Sequence, residues 1–360
     1  MAKPVIHQVL IGASDGDAIT QMALAVREAL RPHADSEIFT WWRHSERMRE
    51  ECLDLADYPD SSEVDLLLYH SSIGWGPVSD FLKKRTERLA LSYHNITPSR
   101  MYEAYNPDFA ADLSLGRQDL DELRERVVLT VADSEFNARD ISAHGYTDVH
   151  VVPAGFIPSR LSNEDYDVVV LNEMAARFPN GYVVAVGQVL PHKRIEQLIE
   201  TMHIMNSTYW GNIGLVICGV ARQEKYWSTL MKHRHNCAMV DVHFPGAVTD
   251  RELSTYIRGS RAYLGMSDHE GLSIPPIEAM SMGVPVVVKG AAAVPETVGN
   301  GALVLPETAG PVLAAEAIHE VLHNNELRWS LIHRGWGRAA ELESRAPSQR
   351  TAELLLAAAQ

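Results

Sequence analysis

The sequence predicts an α/β protein made of two consecutive Rossmann-like, doubly wound domains. Short β-rich runs alternate with amphipathic segments from end to end, the pattern of parallel α/β layers. The alternation occurs twice, on either side of an irregular, polar stretch from Pro158 to about Pro179. The length of 360 residues also exceeds the roughly 100–150 residues of a common domain, so two domains are the default.

In the first set, residues 1–160, strands are expected at Val5–Ile11, Glu37–Trp42, Val64–Tyr69, Leu89–Tyr93, Val127–Ala132 and Val149–Val152, with helices between them. In the second, residues 161–345, they are expected at Tyr182–Val186, Gly214–Cys218, Ala262–Leu264 and Val284–Val288. Ile195, Leu198, Ile199, Met202 and Met205 fall at helical spacing and form one apolar stripe, read as core packing. From Pro311 the chain is rich in Ala, Leu and Glu, so it should be helical with a break near Ala346-Pro347. Residues 346–360 are then a terminal helix expected to pack back on the first domain.

Composition excludes several classes. A hydrophobic share of 46% contains no apolar run near the roughly 18 residues of a membrane span. The run Val5–Gly12 is short and lacks a basic leader, unlike a signal peptide. Three scattered cysteines, Cys52, Cys218 and Cys237, suit a reducing compartment rather than a disulfide framework. The expected location is cytoplasmic, with at most peripheral contact at the inner face of a membrane. A net charge of −15 repels nucleic acid, so a polyanion must be met at a local basic site. A small anion such as a nucleotide remains compatible.

The segment Ser267-Asp268-His269-Glu270-Gly271-Leu272-Ser273-Ile274-Pro275-Pro276-Ile277-Glu278-Ala279-Met280 reads as strand end, loop and short helix, with the helix starting near Pro276. Gly283 suits the position just past its end, and Pro285 stops it. Backbone N–H groups around Leu272, Ser273 and Ile274, at the positive helix end, can hold a phosphate. Glu270 precedes the helix and Glu278 lies in its first turns, offering acceptors for two sets of hydroxyls. As isolated glutamates they could equally complement the helix dipole, worth about 0.3–1 kcal/mol each.

In this pattern the two glutamates, separated by seven residues, resemble the donor site of the retaining glycosyltransferase family 4 of GT-B fold. The resemblance continues at Val186-Gly187-Gln188-Val189-Leu190-Pro191-His192-Lys193, similar to the strand-end element whose cations hold the donor pyrophosphate. It extends to Val152-Pro153-Ala154-Gly155-Phe156, to Ala132-Asp133-Ser134-Glu135-Phe136 and to Val294-Pro295-Glu296. One position departs from the family pattern. Gln188 stands where a cation is usual, leaving Lys193 on the pyrophosphate, with Arg194 as a fallback of solvent-facing character.

The resemblance implies a nucleotide diphosphate sugar as donor, no metal or other cofactor, and retention of configuration. His94, in the strand-end segment Tyr93-His94-Asn95-Ile96-Thr97-Pro98, occupies the place of an active-site histidine near the donor sugar. Glu270 is then expected to orient the sugar and Glu278 to grip the ribose. The segments His94–Pro98 and Pro191–Glu196 are similar to bacterial polysaccharide mannosyltransferases, which implies GDP-mannose ahead of a UDP-sugar. The acceptor is a glycan, a lipid-linked sugar or a small molecule. Alternatives are a nucleotide-sugar 2-epimerase and a non-catalytic nucleotide-sugar-binding protein, the latter motivated by Gln188.

The loop Gly12-Ala13-Ser14-Asp15-Gly16-Asp17-Ala18 lacks the spacing of a dinucleotide fingerprint. It is expected to touch sugar hydroxyls or the acceptor, with close approach allowed by Gly16, and, compatibly, to cap the following helix through Asp15 or Asp17. The glycines of Ser71–Gly76 suit close ligand approach, with Trp75 a candidate to stack on an acceptor sugar. His233, Arg234, His235 and Cys237 lack a converging ligand set, so no metal is expected.

Overall fold

A computed structural model describes residues 3–153, 161, 165–209 and 211–360. The chain divides into two compact units, Met1–Phe156 with Arg345–Gln360, and Ile157–Ser344. Beyond Pro153, the segment Val152–Phe156 falls outside the described residues, as does the expected boundary at residue 160.

In the first unit the elements run β1 (Ile6–Ala13), α1 (Ala18–Leu30), β2 (Ile38–Arg43), α2 (Glu46–Glu51), β3 (Leu53–Asp54), β4 (Leu66–Ser71), α3 (Gly76–Lys84), β5 (Arg88–Tyr93), α4 (Pro107–Leu123), β6 (Val127–Ala132), α5 (Glu135–Ala143) and β7 (Val149–Val151). The strands form one parallel sheet in the order β3-β2-β1-β4-β5-β6-β7. Inner strands are covered on both faces, which is why β4 reads Leu-Leu-Leu-Tyr without alternation and is buried throughout.

The second unit contains α6 (Val168–Arg177), β8 (Tyr182–Val186), α7 (Ile195–Tyr209), β9 (Gly214–Cys218), α8 (Glu224–Asn236), β10 (Val242–Gly246), α9 (Asp250–Arg258), β11 (Ala262–Gly265), α10 (Ile274–Ser281), β12 (Val286–Lys289), α11 (Val294–Val298), β13 (Leu303–Leu305), α12 (Pro311–His323) and α13 (Asn325–Ser344). Its parallel sheet is ordered β10-β9-β8-β11-β12-β13. The five residues of the stripe on α7 are all buried. Both sheets therefore follow the doubly wound order, with the direction of winding reversing between β1 and β4 and again between β8 and β11.

After Ala346, which is left-handed at φ 45°, α14 (Pro347–Ala358) rejoins the first unit. Ala352 and Leu355 enter its core beside Val26, Leu30 and Leu129.

Three expectations need correction. The stretch expected to be irregular contains α6, started by Asp167, whose side chain accepts from the N–H groups of Val169 and Val170. The strands β3, β10 and β13, not expected from the sequence, are short and lie at sheet edges. β10 even contains Pro245, and a lost donor is tolerated at an edge. Finally, α10 starts at Ile274, two residues before the expected Pro276. Pro275 and Pro276 occupy positions whose N–H groups have no intrahelical partner, so neither proline interrupts the first turn.

Candidate functional site

The winding of the second sheet reverses between β8 and β11, and a cavity opens there, lined by Gly187, Lys193, Ile217, Tyr263, Gly265 and Ser267. Ligands in such sheets bind beyond strand carboxyl ends at this crossing. Beyond β8 the chain passes Gly187 at φ +138° and the exposed Gln188. It then turns through Pro191–Lys193 into Arg194, left-handed at φ 52°. This turn carries Lys193 to Glu270, where Nζ donates to Oε1 at 2.6 Å. The two side chains are 18% and 12% exposed.

Burial works to raise the Glu270 carboxyl. The charge of Lys193 and hydrogen bonds from Lys193 and Ser267 outweigh it and hold the group below its ordinary value. His192, itself pressed down to about 3 by burial and the Lys193 charge, is neutral. Glu270 is thus an ionised acceptor that can orient hydroxyls.

The segment from Asp268 to Ile274 is fastened at intervals. Asp268 N–H donates to the His192 carbonyl at 2.8 Å, Ala293 N–H donates to the Glu270 carbonyl at 3.2 Å, and Thr297 Oγ1 donates to the Leu272 carbonyl. Ser273 precedes α10 with φ +77° and provides no side-chain cap. That left-handed backbone costs about 1 kcal/mol for a residue with a Cβ, and the bond to Leu272 helps hold it. Since Pro275 and Pro276 lack N–H groups, any N–H donors at this helix start come from the residues before Pro275. Glu278 lies one turn into α10 and is buried.

A second ionic group beside this one was not read from the sequence. Asp268 is bound by Lys289 Nζ and by Arg194 Nε, and Arg194 also reaches Glu196 at 3.3 Å. Burial raises the Asp268 carboxyl, and the two cations overcome that and lower it. Lys289 ends the apolar run of β12 and is only 4% exposed; a lysine closing such a run was the available signal. Arg194 is half-buried and tied down by Asp268 and Glu196.

In the first unit, His94 follows β5 and Gly16 lies in the loop after β1. Gly16 has φ +74° and open space where a side chain would stand. Asp17 caps α1, accepting from Thr20 N–H and Thr20 Oγ1 at 2.8 Å, while Asp15 pairs with Arg47 at 3.3 Å. His94 does not present an open ring. Its side chain is 3% exposed, Nδ1 lies 2.8 Å from Asp133 Oδ2, and Nε2 lies 2.8 Å from His70 Nδ1.

Gly74 serves packing rather than ligand approach, because a Cβ there would meet the Gly116 nitrogen of α4 at 2.3 Å. Trp75 packs against Trp42 at a tilt, with ring centroids 4.5 Å apart. Cys237 Sγ lies 3.7 Å from His233 Nε2, and among the described residues no three His, Cys, Asp or Glu side chains are grouped as a metal site. No helix among them is long and apolar enough to cross a membrane.

Residues 175–336, which hold the Lys193–Glu270 pair and α10, match the family described as Glycosyl transferases group 1. The two Rossmann-like sheets have the GT-B fold, and the match, over somewhat under half of the chain, supports a glycosyltransferase. The chain is similar to the O-antigen chain mannosyltransferase B of Escherichia coli, at 24% identity over 81% of this chain and 73% of that protein. It is also similar to the O-antigen chain mannosyltransferase RfbU of Salmonella typhimurium strain LT2, at 32% over 34% of this chain and 33% of that one. Among solved structures, WaaG, a glycosyltransferase involved in lipopolysaccharide biosynthesis, superposes with TM-score 0.74 at 12% identity, covering 98% of this chain and 99% of that one. Anabaena HepE in complex with UDP-glucose does so with TM-score 0.72 at 14% identity, covering 97% and 98%.

Proposed function

We propose that this glycosyltransferase is a retaining hexosyltransferase that moves mannose from GDP-mannose to a glycan, lipid-linked or small-molecule acceptor. The observation that carries the reading is the Lys193–Glu270 pair at the start of α10, a cation and an ionised acceptor beside the N–H groups of Gly271–Ile274. Breaking the anomeric carbon–phosphate bond leaves a diphosphate, and preorganised donors stabilise that charge as it develops. Lys193 and the N–H groups of Leu272, Ser273 and Ile274 take this role. Glu270 holds the transferred sugar, Glu278 the ribose, Gly187 lets the diphosphate approach, and Gln188 donates a neutral hydrogen bond where a cation is usual.

The donor assignment is supported by the mannosyltransferase relatives. The UDP-glucose complex of HepE favours a UDP-sugar as second choice. A thermal-shift panel of nucleoside diphosphates and nucleotide sugars tests it, since a ligand at 100 times its dissociation constant adds about 2.7 kcal/mol. GDP-mannose should give the largest shift; a larger one with UDP-glucose transfers the reading to uridine, and no shift with any overturns it. NMR of the product's anomeric proton tests retention, and acceptor-dependent turnover separates transfer from 2-epimerisation.

A further inference from the structure

Four side chains form an unbroken hydrogen-bonded row where the winding of the first sheet reverses. Gln8 on β1 places Oε1 2.9 Å from His70 Nε2 on β4. His70 Nδ1 lies 2.8 Å from His94 Nε2, and His94 Nδ1 lies 2.8 Å from Asp133 Oδ2. At the other end, Gln8 Nε2 donates to the Ala23 carbonyl of α1 at 3.1 Å.

The polarity of the row follows from that last contact. A carbonyl can only accept, so the Gln8 atom facing Ala23 is the amide nitrogen and the one facing His70 is the oxygen. His70 Nε2 must then carry a proton. His70 is 3% exposed, and burial and the neighbouring His94 lower its basicity well below the ordinary histidine value, so it is neutral and Nδ1 is a lone pair. His94 Nε2 must donate to that lone pair. The remaining contact, Nδ1 to a carboxylate oxygen, also needs a proton, because two facing lone pairs repel.

We infer that Gln8 and His70 are positioning residues that hold the His94–Asp133 pair as imidazolium and carboxylate, leaving His94 a donor at both ring nitrogens. The surroundings agree with this charge assignment. The cavity beside the pair is lined by Met22, Val26, Ser92, Val131 and Thr351, among others, and of its lining residues only His70, His94 and Asp133 are ionisable. Asp133 is therefore the compensating charge. The start of α14, through Pro347 and Ser348, borders the same cavity, and a helix N-terminus favours an ionised carboxylate.

For any transfer under the proposed function, His94 so held is a fixed positive group with no lone pair with which to take a proton. The protonation pattern itself is testable without any nucleotide sugar, so its failure is separate from failure of that reading. Nitrogen-15 NMR of the labelled full chain at pH 7.5, assigned with His70→Asn and His94→Asn, should show both His94 ring nitrogens protonated. It should also show His70 protonated on Nε2 alone. An unprotonated nitrogen in His94, or a proton on His70 Nδ1, overturns the proposal. Gln8→Met keeps the side-chain length and removes the acceptor, so His70 should move its proton to Nδ1 and His94 should lose one. Unchanged histidine spectra in that variant overturn the role of Gln8. If it does not fold, the wild-type spectrum decides.

Discussion

Lys193 Nζ and Glu270 Oε1 meet at 2.6 Å across 77 positions of sequence, each side chain more than four-fifths buried. Removing one partner of such a pair leaves an uncompensated buried charge, at a cost of about 3–5 kcal/mol. Lys193→Met should lower stability by that order, and Lys193→Met with Glu270→Gln should recover most of it. Both should lose about 100-fold or more in turnover, because the donor proposed for the leaving group is not replaced. Denaturant unfolding and kcat/KM with GDP-mannose check the two halves separately.

The same pair sets a pH dependence. The Glu270 carboxyl is lowered in the folded chain from its ordinary 4.5, so its contribution is complete above that value and fades as pH falls through the lower folded one. In Lys193→Met burial persists without the lysine charge, which raises the carboxyl relative to the wild type. The variant's deficit in stability should therefore narrow on acidification from pH 7 toward 4. A deficit constant across that range would contradict the assignment.

Asp268 gathers Lys289, 4% exposed, and Arg194, 43% exposed. These exposures rank the substitutions. Asp268→Ala strands a buried lysine and should cost about 3 kcal/mol, whereas Arg194→Ala removes an exposed pair and should cost about 0–1 kcal/mol. Urea midpoints of the two variants give the comparison.

These pairings mark the limit of what the sequence discloses. The strands Tyr182–Val186 and Gly214–Cys218 are read at their observed bounds because burial on both faces leaves continuous apolar runs. The edge strand Val242–Gly246, carrying a proline and a glycine, gives no such run. The segment proposed for the donor stands out in the sequence because Glu270, Ser273 and Glu278 are neighbours around one helix start. Asp268 to Lys289 and Gln8 to His70 are joined only by parallel strand order, which local spacing does not encode.

Leu355 of α14 is completely buried against the core of the first unit. Leu355→Ala should cost about 2–5 kcal/mol through lost burial and the cavity left behind. Calorimetry should show the loss in the transition of that unit, and an unchanged scan would mean that α14 is not anchored there.

Gly219 and Gly187 separate close approach from conformational strain at the same strand ends. A Cβ on Gly219 would stand 2.0 Å from the Gly187 carbonyl oxygen, a backbone atom that cannot swing aside, whereas one on Gly187 would meet only the flexible Lys193 side chain at 3.6 Å. Gly219→Ala must therefore displace the turn that carries Lys193 and should cost more than about 3 kcal/mol, at the upper end for single substitutions. Gly187→Ala carries the penalty of its φ of +138°, about 1–3 kcal/mol. Its methyl group, beside Lys193 Nζ, intrudes on the space proposed for the diphosphate. Gly187→Ala should thus be the more stable of the two, yet still show weakened GDP-mannose binding by calorimetric titration. Wild-type affinity in Gly187→Ala would remove this turn from the donor site.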